Sequence, residues 1–546
     1  MNILRLGVSL VLSACGAAAM ACTSLIAAPG ATASGGSMIT YAADSHTLYG
    51  ALYHTPGGRQ VPGAKRAVHD WDSGRYLGDI PQAEETFTTT GNMNCHGVAI
   101  AESTWGGRPE LEGSGTVDYG SLIYIALERA RTAREALDIM TGLVADYGYA
   151  SEGESFSIAD PNEVWIMELI GKGKTDPGAV WVARRVPDGC ISGHANHSRI
   201  HKFPLDDPNT LYSKDVIDFA RKQGYYKGKD EDFDFSRAYA ITDAGALRGC
   251  DARVWSYFRR FAPEGQMDAY IPWIMEGRGE PLPLWVEPAR KLTAADLKDM
   301  MRDHFEGTLL DMTNDIGAGP FDCPYRWRPM EYEVDGQTYT HERAIATQQT
   351  GFSFVADLDA SRPDAMKGIL WFGVDDANTC VYVPVFSSCT RVPKSLDTAT
   401  ADLLTLSWDS MFWVNNYVAN QAYNRYSQMI PDIRRVQSAL ESAGETAARD
   451  AVEQVAGLGY PQAAELLTNV TDVLAQTATE RYKQLGDYLL VKYLDGNIKK
   501  EKDGAFERTP EGMPVQPVFG GYNERYFRSI VRDAGDRLKV VQPAAD

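Results

Sequence analysis

The spacing of apolar positions divides the 546-residue chain into three stretches. Leu6 to Ala19 is an apolar run behind a single basic residue, Arg5. From Cys22 to about residue 395, short runs rich in β-branched and aromatic residues alternate with a few helical segments. After residue 400 the pattern becomes long, poor in glycine and helically periodic, which predicts a helical C-terminal region over 396–546.

The clearest strand pattern is "SFSIADPNEVWIMELIGKGKTDPGAVWVARRV". Three apolar segments are separated by Asp160-Pro161-Asn162 and by a Gly/Lys/Asp/Pro cluster, which predicts an antiparallel meander. Alternation places Trp165, Met167 and Leu169 on one face and Val164, Ile166 and Glu168 on the other, so the sheet is expected to be covered on both sides. Helices are predicted at "DYGSLIYIALERA", at "TAREALDIMTGLVADYG", where Thr132 and Glu135 have capping-box spacing, and from Thr293 in "TAADLKDMMRDHF". The aromatic stripe after residue 400 reads as core packing. Mixed helix and sheet gives an α+β class.

Composition narrows the function. At 44% apolar residues the chain can bury a large core, and its net charge of −20 argues against a nucleic-acid partner, which would require a basic surface. Beyond the leader, no apolar run approaches the roughly 20 residues of a membrane span. Arg5, the apolar run and Ala19-Met20-Ala21 have the layout of a signal peptide cut after Ala21, which predicts export to a periplasm or the extracellular space. Leu12-Ser13-Ala14-Cys15 also fits a lipoprotein cleavage site, so lipid anchoring at Cys15 is the rival reading. Cleavage after Ala21 leaves seven of the eight cysteines, an odd number. Cys380 and Cys389 are spaced to bridge a hairpin, although buried free thiols are the expectation for most of them.

Several short patterns fail on inspection. "GKGKT" at 171–175 lacks the first glycine of a phosphate loop, where Glu168 stands, and reads as a hairpin turn. His194, His197 and His201 have spacings a metal site can use, but no HExxH accompanies them, so metal-dependent hydrolysis is a minority reading. Asp44, Ser45 and His46 are adjacent, which on a strand points them to opposite faces and counts against a triad.

Cys22 has the stronger chemistry. A thiol nucleophile needs a base, and a free α-amino group with a pKa of roughly 7.7 to 8.0 is partly neutral near that pH. Cutting after Ala21 would place nucleophile and base on one residue. An amide nitrogen has no such basicity, so cleavage would also be activation.

Six segments in order, "CTSLIAAPGATASGGSMITYAADSHTLYG", "GNMNCHGVAIAESTWGGR", "DYGSLIYIALERARTAREALDIM", "SFSIADPNEVWIMELIGKG", "SGHANHSRI" and "LRGCDARVWSYFRR", resemble the dipeptidase A family of N-terminal nucleophile (Ntn) hydrolases, which is more distantly related to bile salt hydrolases and penicillin V acylases. The resemblance covers most of 22–395 and implies an Ntn-hydrolase αββα four-layer sandwich as the catalytic domain. It implies Cys22 as nucleophile, Asp44 as the acidic residue that orients its amine, Asn94 as a holder of the oxyanion, Asn196 as a second asparagine near the amine, and Arg253 as support for the thiolate. Two departures stand out. Tyr41 occupies the place where the acylases carry arginine, and Cys95 follows Asn94 where many family members have glutamate, which adds a thiol expected near the site.

The expectation is an exported cysteine-type dipeptidase that acts on small peptides through a thioester on Cys22, with no metal or organic cofactor and with homo-oligomerisation left open. An amidase or acylase of the bile salt hydrolase or penicillin acylase type, and a non-catalytic peptide-binding lipoprotein anchored at Cys15, are the alternatives.

Overall fold

The computed structural model describes residues 22–541. The expected leader, with Cys15 and its two rival cleavage sites, lies outside the described residues.

Two antiparallel sheets organise the described residues. The first runs in the order Trp285–Val286, Ile191–His194, Ser24–Ala27, Ser37–Asp44, Thr350–Leu358, Gly368–Val374, Val383–Phe386. The second runs Thr210–Tyr212, Ala179–Arg185, Val164–Gly171, Gly153–Ala159, Ala99–Gly106, Met93–Asn94, Thr89–Thr90, His54–Thr55. The predicted meander is the centre of this second sheet, with Phe156 opposite Met167 and Met167 opposite Ala183.

The face assignment read from alternation holds. Trp165, Met167 and Leu169 enter a core shared with helices Tyr119–Leu127 and Ala133–Tyr147, whereas Val164 and Ile166 enter the core shared with the first sheet. Glu168, on that second face, is buried and accepts backbone N–H bonds from Arg199 at 2.5 Å and Ile200 at 3.2 Å, which anchors the loop after Asn196.

Alternation also places the helices around the first sheet. Leu370 lies against Gly91, in the turn between two short strands of the second sheet, and Phe372 stacks on Phe352 with centroids 5.5 Å apart. Trp371 between them points the other way, under the Lys298 ammonium at 4.5 Å and against helix Tyr426–Val455 at Gly444. Helices Met411–Asn424 and Tyr460–Lys492 pack with it. Asn415 donates to the carbonyl of Val374 at 2.9 Å and Thr471 to that of Pro384 at 3.0 Å, so sheet-end carbonyls are satisfied by the helical layer.

Helix starts follow the capping residues. The Asp118 side chain caps the helix at Tyr119, and Thr132 accepts from the Glu135 N–H. Glu135 reaches back to the N–H of Arg131 at 2.7 Å, one residue earlier than a capping box requires. At Thr293 and Asp296 both halves of the box form. Gly171 to Gly178 is the turn between two meander strands, as the failed phosphate-loop reading implied.

Cys380 and Cys389 are not bridged. All seven described cysteines are free; Cys380 Sγ faces the Ala377 carbonyl at 3.7 Å and Cys389 Sγ the Thr471 hydroxyl at 3.6 Å. Each thiol has settled into a local buried contact on a different element. Among the described residues, no helix is long and apolar enough to cross a membrane.

Candidate active site

The residues around Cys22 arrive from five parts of the chain. Thr23 pairs with Ala42, which brings Cys22 alongside the strand that carries Tyr41 and Asp44. The Cys22 thiol lies fully buried, 3.6 Å from the Tyr41 hydroxyl and 3.4 Å from Oε1 of Glu102, and the Tyr41 hydroxyl also donates to Glu102. Burial pushes the thiol well above its usual pKa, and the Glu102 and Asp44 carboxylates add to the effect. The pocket therefore favours neutral thiol over thiolate, so a base is needed at the moment of attack.

Arg253 fixes the backbone of the candidate nucleophile. It stands on helix Ala252–Phe261, directly after a π-helical turn, Gly245–Asp251. One guanidinium nitrogen donates at 2.7 Å to the carbonyl of Cys22 and at 2.7 Å to the Thr23 hydroxyl. The other donates to the Ala195 carbonyl at 3.2 Å and to Oδ1 of Asn196 at 2.9 Å, and Nε donates to the Gly249 carbonyl at 2.7 Å. Burial, then the nearby Arg343, lowers the Arg253 pKa to about 10, so it stays charged at neutral pH.

Asn196 has a φ of 55°, a left-handed conformation that asparagine tolerates better than most residues. Its amide nitrogen donates to the Thr104 carbonyl at 2.5 Å, tying the Arg253 clamp to the second sheet. Asp44 is buried, paired with Arg343 at 2.6 Å and accepting from Thr350 at 2.7 Å. Burial raises its pKa, and Arg343 opposes that rise.

Asn94 is placed elsewhere. Both amide hydrogens are spent on the carbonyls of Leu127 and Ala130, at 2.8 and 2.7 Å, and its oxygen accepts from the N–H groups of His96 and Val98 at 3.0 and 3.1 Å. It locks a tight turn onto a helix end and has no donor left for an oxyanion, which corrects the role expected of it. Cys95 is not the extra thiol at the site either: its neighbours are Thr88, Tyr460 and Arg131. Cys250, beside Arg253, is.

The three histidines are separated by their partners. His194 is buried between Ser103 and Ser157, at 2.6 and 2.8 Å, with burial and Arg199 pushing its pKa down to about 3. His197 pairs with Asp251 at 2.9 Å and His201 with Asp234 at 3.1 Å. Among the described residues, no group of three or more His, Cys, Asp or Glu side chains is arranged to hold a metal ion.

Glu102, Glu154 and Arg343 were not singled out from sequence. The acids stand in "AIAESTWG" and "GESFSIA", and an acid inside a strand-type apolar run is the one signal that marks them. Arg343 lies outside any such pattern. A cavity of about 410 Å³ adjoins the site, lined by His46, Asn196, Cys250, Arg253, Arg328 and Arg343 among others.

Comparison with known proteins places the chain among dipeptidases in sequence. A probable dipeptidase of Latilactobacillus sakei is 25% identical over 493 residues, covering 84% of this chain and 95% of the relative. A probable dipeptidase of Salmonella dublin is 26% identical over 333 residues, covering 59% of this chain and 66% of the relative, and a dipeptidase of Bifidobacterium longum is 25% identical over 373 residues, covering 66% and 63%. The model of peptidase family C69 matches residues 60–439, a span that contains Glu102, Asn196, Arg253 and Arg343 and runs from the second sheet into the helical layer. With that match across most of its length, the chain belongs to peptidase family C69.

Proposed function

We propose that this chain is an exported cysteine-type dipeptidase of the N-terminal nucleophile kind, activated when cleavage after Ala21 frees the amine of Cys22. The stacking of helices, two facing sheets and helices is then the αββα sandwich of that class, with residues 22–395 as its catalytic part and 396–546 as a helical region. The observation that carries the reading is the Arg253 clamp: a buried guanidinium binds the Cys22 carbonyl and the Thr23 hydroxyl, each at 2.7 Å, and so holds the one residue that would present both thiol and amine.

The amine takes the Sγ proton as sulfur attacks the scissile carbonyl carbon. A neutral thiol suits this route, because the pocket disfavours a standing thiolate. The oxyanion that forms needs a fixed neutral donor. The Tyr41 hydroxyl, 3.6 Å from Sγ and kept protonated by burial, donates to Glu102 in the resting site and has to turn from it to take the part that Asn94 cannot fill. Asp44 stabilises the transient ammonium electrostatically. That ammonium protonates the leaving amine as the C–N bond breaks, leaving a thioester. Water, deprotonated by the same amine, attacks the thioester, and the thiol regains its proton as the acid departs.

The arginine-lined cavity has the size and charge to receive the carboxylate end of a dipeptide. Cys22→Ala and Cys22→Ser variants test the proposal. Hydrolysis of free dipeptides should fall to background in both, with the circular dichroism spectrum unchanged. Parental hydrolysis in Cys22→Ala would overturn it, and a parent that binds peptides without cleaving them would favour the lipoprotein alternative.

A further inference from the structure

We propose that Glu102 and Glu154 form the subsite for the substrate's free α-ammonium group, on the acyl side of the scissile bond. The inference deepens the dipeptidase reading and rests on it for the direction of the bound peptide.

Both carboxyl groups are fully buried on neighbouring strands, where Glu154 stands opposite Thr104. Among the described residues, neither pairs with a Lys, Arg or His, apart from which the nearest donors are the Cys22 thiol and Tyr41 hydroxyl to Glu102 and the Thr104 hydroxyl to Glu154 at 3.0 Å. Oε2 of Glu102 and Oε1 of Glu154 receive no donor at all. Buried carboxylates without a cation are costly, and two together cost more, so a fold keeps such a pair where a cation is to be bound.

The distances fit an α-ammonium. In an acyl group bonded to Sγ the α-nitrogen lies two bonds beyond the carbonyl carbon, roughly 3 to 4 Å from sulfur by ordinary bond lengths. Oε1 of Glu102 is 3.4 Å from that sulfur, and neither glutamate lines the arginine-lined cavity, whose guanidinium groups would repel a cation.

The pair also explains how the empty site is kept neutral enough to fold. Burial is the main cause that raises both pKa values, that of Glu154 strongly, where the charge of Glu102 adds to it. The empty pair is therefore kept at a single negative charge by one bound proton. An incoming ammonium replaces that proton, which leaves to solvent, so the net charge of the pair with its cation is unchanged by binding. Affinity for the ammonium then rises with pH until the amine itself loses its proton.

The test uses alanyl-alanine and its des-amino analogue propionyl-alanine. The parent should show a ratio of kcat/KM, free dipeptide over analogue, of at least 100, and Glu154→Gln should lower that ratio at least tenfold. An unchanged ratio in Glu154→Gln and in Glu102→Gln, or no preference in the parent, overturns the subsite. Protection of the parent's Cys22 from alkylation by iodoacetamide gives a second readout that needs neither variant nor turnover. L-alaninol should protect, and more strongly at pH 7 than at pH 5.5, whereas 1-propanol should not; equal protection by the two overturns the subsite. If the parent cleaves neither peptide the dipeptidase reading fails, while the alkylation result still decides whether an ammonium binds.

Discussion

Replacing Arg253 with lysine keeps the charge and removes the fork. The guanidinium makes five donor contacts, to the carbonyls of Cys22, Ala195 and Gly249, to Thr23 Oγ1 and to Asn196 Oδ1. An ammonium has three donors, so at least two buried acceptors lose their partner, at about 1–3 kcal/mol each. Unfolding in urea should thus show a stability loss of about 3 kcal/mol. The rate effect has a different origin. With the Cys22 carbonyl released, sulfur and amine shift relative to the substrate, and a displacement on the order of 1 Å costs about 10²-fold. The expected result is a kcat for alanyl-alanine about a hundredfold lower, KM within threefold, and slower alkylation of Cys22 at every pH. An Arg253→Lys enzyme with parental kcat would refute the clamp as the element that positions the nucleophile.

Asn94→Ala should behave in the opposite way, because Asn94 stitches a turn to a helix end and does not reach Cys22: the melting temperature should fall while kcat of the folded enzyme stays within threefold, measured by calorimetry and by titrated active-site assay. The stability of Glu154→Gln relative to the parent should grow with pH. Burial raises the folded-state pKa of Glu154 well above the ordinary 4.5, so above that pH the unfolded parent ionises while the folded parent keeps its proton, and the parent loses stability that a neutral glutamine does not. Urea titrations at pH 4.5, 6 and 7.5 measure the difference; a pH-independent difference would contradict it. Dialysis against EDTA should leave peptidase activity intact, since His194, His197 and His201 are each committed to separate partners; a loss restored by a divalent metal would revive the metal reading.

Much of the scaffold was legible because it depends on short-range rules. Period-two alternation in the meander sorted Trp165, Met167 and Leu169 from Val164 and Ile166, and capping residues placed two helix starts, after Thr132 and after Thr293. The site was legible only in part. Cys22, Asp44, Asn196 and Arg253 do converge, but that convergence is a property of sheet order, since Thr23 lies beside Ala42 and the Arg253 helix closes over both. Asn94 misled because an asparagine beside a strand reads equally as a turn lock or an oxyanion donor, and only its hydrogen bonds separate the two. The Glu102 and Glu154 pair was hidden because the two acids are 52 positions apart and become neighbours through strand register alone. Arg343 pairs with Asp44 across 299 positions, in a segment with no periodic pattern to mark it.

The central claim is that Cys22, freed at its amine, is the residue that carries the acyl group. Mass spectrometry of the N-terminal peptide from enzyme quenched in acid during turnover of alanyl-alanine tests it directly. The account predicts a peptide that begins at Cys22 and bears an alanyl group on its thiol. Active enzyme with the Ala21–Cys22 bond intact, or an acyl group on any other residue, would contradict it.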